Sequence, residues 1–448
     1  MPPTSGDGEH VVIVGGGWAG LAAAIALVDA GSRVTVVEAA RVLGGRARRV
    51  TTDGMILDNG QHLLLGAYRE TLRLIERVHR HRPADELYLR MPLCLAGPRD
   101  FRVRAAQLPA PLHMLHALVF ARGCTLRDRW ALVRTMSRWM RAGWRSPPRQ
   151  TVGELLSGQP KSMVDRLWSP LCLAALNTPI HQASAQIFLN VLRDTLAADR
   201  ASSDLVIPRV DLSTLFPEAA ARVIEDAGGS VRRGVRVVRI TGRGESGSVR
   251  VEAAAASGLD LKAKAVIIAT APWNAAQLLD TMSPTPESSA AIADIGRYEY
   301  LPICTIYLRY ATPIVLPSPM MQLEDGPGQW VFGAIDAVSN RSDSLSVVIS
   351  ADGPHRKLSH AQIVDSVLTQ LARNIAAIEG QAPIASQVIT ERRSTFACTP
   401  GRAHPIAGAV GPGVYLAGDH TDSDYPATLE AACRSGIRVA EALLADIR

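Results

Sequence analysis

A glycine-rich turn near the start of the chain constrains the fold more than any other feature. Residues 11–20 read VVIVGGGWAG, a run of β-branched residues that ends in a GxGxxG pattern. A helix of small residues follows at once, and a second predicted strand, residues 33–37, ends at Glu38. Strand, glycine turn, helix, strand and acid together form the fingerprint of a dinucleotide-binding unit. The sequence therefore predicts a Rossmann-like α/β domain.

Each residue of the turn has a separate task in holding a pyrophosphate. Gly15 makes the tight turn, Gly17 lets the backbone approach the phosphates, and Gly20 lets the helix pack on the strand. Trp18 and Ala19 begin the helix, whose positive end favours the phosphate charge. These residues are the first part of the predicted cofactor site.

The residues that follow indicate that the bound dinucleotide is FAD. The sequence LGGR, with Gly45 and Arg46, comes one short loop after Glu38. This arrangement resembles flavoproteins of the amine oxidase and phytoene desaturase superfamily. The resemblance implies that Arg46 lies along the FAD pyrophosphate, while Glu38 is expected to accept hydrogen bonds from the ribose hydroxyls.

The same resemblance implies that distant segments return to the flavin. They are the DNGQH loop near the flavin ring, a strand that meets the adenine, a buried strand at residues 265–270, and the GD and PAT patterns near the end. A final helix is expected to start at Pro426, with its positive end towards the flavin. The additional cofactor residues are Gly60, Gln61, His62, Val237, Ala269, Gly418, Asp419, Ala427 and Thr428.

The order of these segments predicts two interleaved domains. A discontinuous Rossmann-like FAD-binding domain is expected to comprise residues 1–85, 205–275 and 400–448. An α+β substrate domain is expected to comprise residues 86–204 and 276–399. This alternation of flavin and substrate segments matches the superfamily.

Positive charge is concentrated in residues 99–149. This segment contains eleven arginines but only two acidic residues, Asp100 and Asp128, while the whole chain carries a net charge of +6. It also contains three tryptophans and an apolar stretch, so it is typical of an interfacial membrane helix. The alternative is a solvated basic face with its tryptophans in the core. Nucleic acid binding is not favoured, since no nucleic-acid module is present.

Other features restrict location and cofactors. No apolar run is long enough to span a bilayer, and the polar start of the chain does not resemble a signal peptide. The six cysteines have neither metal nor disulfide spacing, so no metal site is expected. We predict a cytoplasmic protein, peripheral at the inner face of the cytoplasmic membrane.

Three stretches narrow the family further. Residues 58–75, 167–179 and 203–218 resemble the hydroxysqualene dehydroxylases, the squalene-associated FAD enzymes of bacterial hopanoid pathways. The resemblance implies that hydroxysqualene loses its allylic hydroxyl and becomes squalene, by hydride transfer from FADH2 to an allylic cation. Such chemistry needs an apolar tunnel, an acid for the departing hydroxyl, and a negative or π-rich environment for the cation. The sequence does not identify the electron donor that reduces the flavin.

The acid has several candidates, and the sequence does not rank them. His62, His420, Asp424 and Tyr425 come from loops expected near the flavin, and Asp211 lies in a family-like segment. His420 stands after the GD pattern, where families of this kind usually carry tryptophan. This difference from the family pattern adds polar groups to the expected pocket.

Three other functions remain compatible with these motifs. A phytoene or carotenoid desaturase would use the same fold and cofactor in the opposite redox direction. An amine or protoporphyrinogen oxidase would need a site for a cation or a macrocycle. A non-enzymatic prenyl-binding chaperone would share the fold, but Glu38, the GGR pattern and the GD pattern argue against it.

Overall fold

The computed structural model describes residues 10–243, 247–254, 258–333 and 341–447. The predicted domains also include residues 1–9, 244–246, 255–257, 334–340 and 448, which lie outside the described residues. A π-helical turn at Val164–Trp168 joins two of the helices. The α-helices are α1 (Trp18–Asp29), α2 (Arg69–Val78), α3 (Ala84–Leu87), α4 (Leu112–Val119), α5 (Leu126–Arg141), α6 (Val152–Leu155), α7 (Lys161–Met163), α8 (Ser169–Leu176), α9 (Ala185–Leu196), α10 (Leu212–Leu215), α11 (Pro217–Asp226), α12 (Pro272–Leu279), α13 (Pro286–Gly296), α14 (His360–Asn374) and α15 (Leu429–Ile447).

The strands form one largely parallel sheet, one large mixed sheet and three small sheets. They are β1 (His10–Val14), β2 (Arg33–Glu38), β3 (Arg49–Thr52), β4 (Met55–Asp58), β5 (Leu64–Leu65), β6 (Tyr88–Met91), β7 (Cys94–Ala96), β8 (Arg102–Arg104), β9 (Leu205–Pro208), β10 (Ser230–Arg233), β11 (Val237–Thr241), β12 (Val249–Ala253), β13 (Asp260–Ala263), β14 (Ala265–Ile268), β15 (Tyr300–Val315), β16 (Met320–Gln322), β17 (Trp330–Gly333), β18 (Arg341–Ser350), β19 (Ala385–Phe396), β20 (Gly408–Gly411) and β21 (Val414–Leu416).

The first sheet has the order β10–β2–β1–β14–β21–β20, and only β20 runs antiparallel to its neighbour. Val12 on β1 pairs with Thr35 on one side and with Val266 on the other. Helices α1, α11 and α15 pack on one face of this sheet, and the small sheet β11–β12–β13 packs on the other together with α12. Its central strands are therefore buried and read as continuous apolar runs. Its strands come from all three segments of the predicted FAD domain, whose boundaries remain a prediction.

Close packing of α1 against α15 holds the two ends of the chain together. A Cβ added to Gly436 on α15 would lie 2.1 Å from the carbonyl oxygen of Ala19 on α1, so only glycine allows this approach. The contact brings the start of α15 to the glycine turn. The sequence-distant ends of the chain therefore meet at one edge of the sheet.

The large sheet has the order β19–β15–β18–β17–β16–β7–β8. Its strands are antiparallel to their neighbours, except that β16 runs parallel to β7. An apolar core joins this sheet to helices α4, α5, α8 and α9. This core forms the wall opposite the Rossmann-like sheet.

Candidate functional site

One continuous cavity of about 770 Å³ connects the two halves of the fold. It begins at the glycine turn and Glu38, at the carboxyl edge of the parallel strands. It continues past His62 to Met114 and Trp168 in the helical region. Ligands bind at this edge in open α/β sheets, so the cavity joins a nucleotide site to an apolar pocket.

Two glycine segments form a backbone cradle at the nucleotide end. The amide of Gly44 donates to the carbonyl of Gly16 at 2.9 Å, and a Cβ added to Gly45 would lie 3.3 Å from the Cα of Gly17. Helix α1 begins after Gly17 without a side-chain cap. Its first amides are therefore free for an anion, and the cradle fits the pyrophosphate of FAD.

Glu38 is oriented by the backbone around it. The amides of Gly16 and Ala40 each donate to one of its carboxylate oxygens at 2.7 Å. The amide of Val235 donates to the Glu38 carbonyl at 2.9 Å, which joins the end of β2 to the segment before β11. Each carboxylate oxygen keeps a second lone pair for a ribose hydroxyl. Val237 lines the same end of the cavity, as expected for an adenine contact.

Arg46 and Asp419, predicted separately as cofactor residues, form a buried ion pair. Nη2 of Arg46 lies 2.6 Å from both carboxylate oxygens of Asp419, and Nη1 donates to the carbonyl of Ser394 at 2.8 Å. Burial alone would raise the pKa of Asp419, but the charged and polar groups around it, of which the Arg46 charge contributes most, together outweigh burial and hold this pKa well below its usual range. Both side chains line the cavity, so the pair can present charge to FAD phosphates and hydroxyls.

The loop predicted to lie near the flavin ring is fixed to the large sheet. The hydroxyl of Ser346 donates to the Gln61 side chain at 2.7 Å, and the Gln61 amide donates to the hydroxyl of Thr305 at 3.3 Å. Gly60 has a φ of 111°, which favours glycine. Gly60, Gln61 and His62 all line the cavity between its two ends.

The His62 side chain is neutral, and its Nε2 atom is available to accept a hydrogen bond. Nδ1 lies 2.8 Å from the carbonyl oxygen of Gly60, and since a carbonyl only accepts, Nδ1 carries the proton. Burial lowers the pKa of His62, although this hydrogen bond opposes the shift. The imidazole is thus suited to orient a hydroxyl rather than to protonate it.

The segment before α15 lines the cavity, but the helix itself begins later than predicted. Residues 426–428 line the cavity, but α15 begins at Leu429, so the prediction that Pro426 opens the helix was wrong. The reason is local capping, because the Thr428 hydroxyl accepts from the Ala431 amide at 3.1 Å. Ala427 and Thr428 face the site from the irregular turn before this helix.

The proposed acids separate into two groups by position. His62 and Tyr425 line the cavity, whereas His420 and Asp424 do not. His420 is fully buried behind Asp419, and the hydroxyl of Tyr298 donates to its backbone carbonyl at 3.0 Å. Asp424 is exposed.

Asp211 has a structural role in the described contacts. It caps α10 by accepting from the Thr214 amide at 3.0 Å, and Arg49 lies 3.6 Å away. It does not line the cavity. We therefore assign it to positioning the segment after β9.

Asp194 on α9 lines the cavity and was not predicted. It accepts hydrogen bonds from the hydroxyl of Tyr425 and from Nε of Arg193. Burial acts to raise the pKa of Asp194, but these hydrogen bonds and the charges of Arg193 and Arg434 together outweigh burial and lower it. Burial and the Asp194 carboxylate both raise the pKa of Tyr425, so the shared proton stays on the phenol. The guanidinium of Arg434 lies 4.4 Å from the Tyr425 ring centroid.

Trp273 adds an aromatic side chain to the nucleotide end. It is half-buried and lines the cavity there. Arg393 stacks on its ring at 5.0 Å, and Tyr300 meets it edge-on at 5.2 Å. Trp273 is the second residue of α12, which follows β14 after a three-residue connection. This position at the carboxyl edge of the sheet explains its exposure to the cavity.

The far end of the cavity is apolar. Its described lining residues from α4, α5, α8 and the large sheet's strands β7, β8 and β16 to β18 carry no charged side chain. Aromatic faces contribute to this end. The largest side chains here are Met114, Leu118, Met136, Trp168, Trp330 and Phe332. A long hydrocarbon matches this lining better than an amine or a macrocycle bearing carboxylates.

The basic segment is only partly as predicted. Trp130 is 74% exposed, but Trp139 and Trp144 are buried in the helical core, so two of the three tryptophans cannot face a membrane. Leu112, Phe120 and Leu126 are instead exposed on α4, α5 and the turn between them. Among the described residues, no helix has the length and apolar composition to cross a bilayer. Within the same ranges, no cluster of His, Cys, Asp or Glu could hold a metal.

Comparisons with known proteins agree with this geometry. Residues 18–444 match the family described as flavin-containing amine oxidoreductase. A hydroxysqualene dehydroxylase of Rhodopseudomonas palustris is 31% identical over 98% of this chain and 99% of its own length. A zeta-carotene desaturase of Synechocystis is 24% identical over 98% of this chain and 97% of its own length. A putrescine oxidase variant shares the fold at a TM-score of 0.71 and 18% identity, covering 98% of this chain and 99% of that one.

Proposed function

The chain belongs to the flavin-containing amine oxidoreductase family, and we propose that this FAD-dependent oxidoreductase removes the allylic hydroxyl of hydroxysqualene to give squalene. One observation carries the proposal: a single cavity runs from the glycine cradle to an end without charged side chains. A dinucleotide and a long hydrocarbon can therefore meet inside the fold. The similarity to a hydroxysqualene dehydroxylase supports this substrate.

The reaction balances with one proton and one hydride. The allylic C–O bond breaks, the departing oxygen takes a proton and leaves as water, and a C–H bond forms at the allylic carbon. The glycine cradle, Glu38 and the Arg46–Asp419 pair would hold FAD, and the reduced form of this cofactor supplies a hydride. An external reductant must restore it.

Tyr425 and Asp194 are the proposed proton donor and its support. The phenol carries its proton at neutral pH, and its hydroxyl can turn from Asp194 to the departing oxygen. The Asp194 side chain is 27% exposed, so it can return a proton from solvent to the phenol. Its negative charge lines the cavity and would stabilise an allylic cation that developed beside it.

His62 and the aromatic lining position the substrate. Nε2 of His62 can accept the hydrogen of the substrate hydroxyl, which leaves the oxygen lone pairs for Tyr425. The faces of Trp168 and Trp330 line the apolar end, where they exclude water and stabilise a delocalised cation.

Product analysis tests the proposed reaction. Purified, chemically reduced protein should convert hydroxysqualene to squalene under anaerobic conditions, with one flavin oxidised for each squalene formed. The oxidised protein should leave phytoene and squalene unchanged. Formation of a more unsaturated polyene by the oxidised protein, without squalene formation by the reduced one, would instead assign the desaturase direction.

A desaturase is a second candidate function, and one specific observation supports it. A zeta-carotene desaturase matches nearly the full chain, although at a lower identity than the hydroxysqualene dehydroxylase. A desaturase needs a base near the flavin rather than an acid. The higher identity to the hydroxysqualene dehydroxylase and the phenol of Tyr425, which can donate a proton, favour the reductive reaction.

We further propose that the protein is cytoplasmic and docks on the inner face of the cytoplasmic membrane, where squalene would enter hopanoid biosynthesis. Five exposed apolar side chains within one short stretch support this location. They are Leu112, Val119, Phe120, Leu126 and Trp130. Arginines flank the same stretch, as in helices that lie at anionic interfaces.

Removing apolar side chains from this stretch should weaken membrane binding. The variant Leu126→Ser/Trp130→Ser is expected to bind vesicles of mixed phosphatidylglycerol and phosphatidylcholine at least about tenfold more weakly, since each side chain loses apolar burial. Co-sedimentation measures the effect. The matched control is Ile384→Ser/Ile406→Ser, which removes apolar side chains exposed elsewhere. Equal losses in the two variants would reject this docking surface.

A further inference from the structure

A second cavity, of about 380 Å³, lies beside α4 and is separate from the flavin cavity. Arg102, Arg104 and Arg122 line it, together with Gln107 and His116. None of the described residues that line it is acidic. We propose that this arginine cavity binds the phosphate of an anionic phospholipid headgroup, which rests on the membrane location proposed above.

Backbone geometry places the three guanidinium groups together. Arg102 and Arg104 are the first and third residues of β8, so they share one face of the strand, and the buried Val103 takes the other. Arg122 pairs directly with Arg102 through backbone hydrogen bonds of 2.9 and 3.3 Å. Residues opposite each other in an antiparallel pair project to the same side.

These arginines lack an internal counter-charge. No ion pair involves any of the three among the described residues, and the hydrogen bond found for their side chains is a long one, 3.5 Å, from Arg102 to the carbonyl of Pro317. By contrast, Arg99 and Arg166 nearby both pair with Glu324. Three like charges held together without a carboxylate repel one another, and a phosphate would relieve that repulsion through bidentate hydrogen bonds.

The neighbouring surface indicates a lipid rather than a free anion. Phe120 lines the arginine cavity and is 64% exposed, and its ring contacts His116 at 4.4 Å. Leu112 on the same helix is exposed, while Met114 and Leu118 line the flavin cavity. Helix α4 therefore lies between the substrate cavity and an apolar surface with a cationic pocket. A headgroup bound there would place acyl chains along this surface.

Vesicle binding by two matched triple variants tests the site. The variant Arg102→Gln/Arg104→Gln/Arg122→Gln should bind phosphatidylglycerol vesicles about 100-fold more weakly than the wild type. The control Arg134→Gln/Arg138→Gln/Arg145→Gln removes equal charge from exposed positions of the same basic segment, and should lose less than about tenfold at 0.15 M salt, where distant charges are screened. Equal losses would overturn the proposal.

A second measurement identifies the ligand. Monomeric short-chain phosphatidylglycerol should bind the wild type saturably by calorimetry, and inorganic phosphate at the same concentration should not displace it. Phosphate that binds as tightly as the lipid would show a free-anion site and reject the lipid. Should the triple variant lose its flavin or unfold, the single variants Arg104→Glu and Arg134→Glu provide the same comparison.

The test is independent of the reaction. Dehydroxylation of detergent-dispersed substrate should be unchanged in the arginine-cavity variant, because its residues do not line the flavin cavity. A wild type that binds vesicles but forms no squalene would reject the proposed reaction and leave the lipid site intact. A wild type that forms squalene but does not distinguish anionic from zwitterionic vesicles would reject the lipid site alone.

Discussion

Asp419→Ala should yield a protein that is purified largely without flavin. The substitution removes the partner of a largely buried arginine and a hydrogen-bond acceptor that lines the nucleotide cavity. Loss of a hydrogen bond to a charged group predicts FAD binding weakened by roughly 10- to 100-fold. The unpaired Arg46 should also lower the free energy of unfolding of the apoprotein by about 3–5 kcal/mol. Flavin absorbance per protein and denaturant unfolding measure the two effects.

Two further variants separate binding from folding. In Arg46→Met/Asp419→Ala both charges are gone, so apoprotein stability should recover while FAD binding stays weak. Asp424→Ala makes the same side-chain change at an exposed aspartate outside the cavity and should keep its flavin. Full flavin content in Asp419→Ala would show that this carboxylate does not contact the cofactor.

The ion pair also gives FAD retention a pH dependence with a defined sign. The pKa of Asp419 is lower in the folded protein than in the unfolded chain. Its stabilising contribution is therefore complete above the unfolded pKa, about 3.9, and is lost as the pH falls below that value. The wild type should release flavin in this acidic range, whereas the double variant should show a weaker dependence.

The nucleotide end of the site could be predicted because its chemistry is local. A tight turn, a close backbone approach and an acid at a strand end each require particular residue types, and all of these lie within about thirty residues of sequence. Gly45 illustrates this, since its φ is 63° and an added Cβ would lie 3.3 Å from the Cα of Gly17. The GD pattern likewise places Asp419 three residues after the end of β21, at the same edge of the sheet.

The substrate end could not be predicted in the same way because it depends on contacts between distant elements. Asp194 lies on α9 and meets Tyr425 from a turn 231 positions later, which no local pattern encodes. One signal was available: Asp194 interrupts the apolar face of a helix, three residues after Val191, and both line the cavity. An acid on the buried face of a helix indicates a functional site more often than an acid on a solvated face.

Side-chain burial explains the remaining differences between the predicted and the observed site. His420 follows Asp419 directly, yet its ring turns away from the cavity into the core. Trp139 and Trp144 lie in a basic segment, but helical spacing on α5 and the turn after it brings them onto the inner surface. Composition alone gives the average character of a segment, whereas the direction of each side chain depends on the elements packed against it.

Tyr425→Phe should lower the rate of dehydroxylation by about 10²- to 10⁴-fold, the range found when a general acid is removed. The phenol ring remains, so the cavity keeps its shape and the protein should keep its flavin. Asp194→Asn should have a smaller effect, because it removes the charge that supports the phenol but leaves the proton donor. Single-turnover reduction of hydroxysqualene by prereduced protein measures the step directly.

The control and the pH profile distinguish a proton donor from a structural residue. Tyr310→Phe removes another buried tyrosine hydroxyl, one with no hydrogen-bond partner among the described residues and outside the cavity, and should change the rate little. Because the pKa of Tyr425 is raised, the acid form persists and the wild-type rate should not fall between about pH 6 and pH 9. A rate that falls with a midpoint near the pKa of an ordinary histidine, in both the wild type and Tyr425→Phe, would instead assign the proton to His62. That outcome would require protonation of an imidazole whose pKa burial lowers and whose Nδ1 already donates to Gly60.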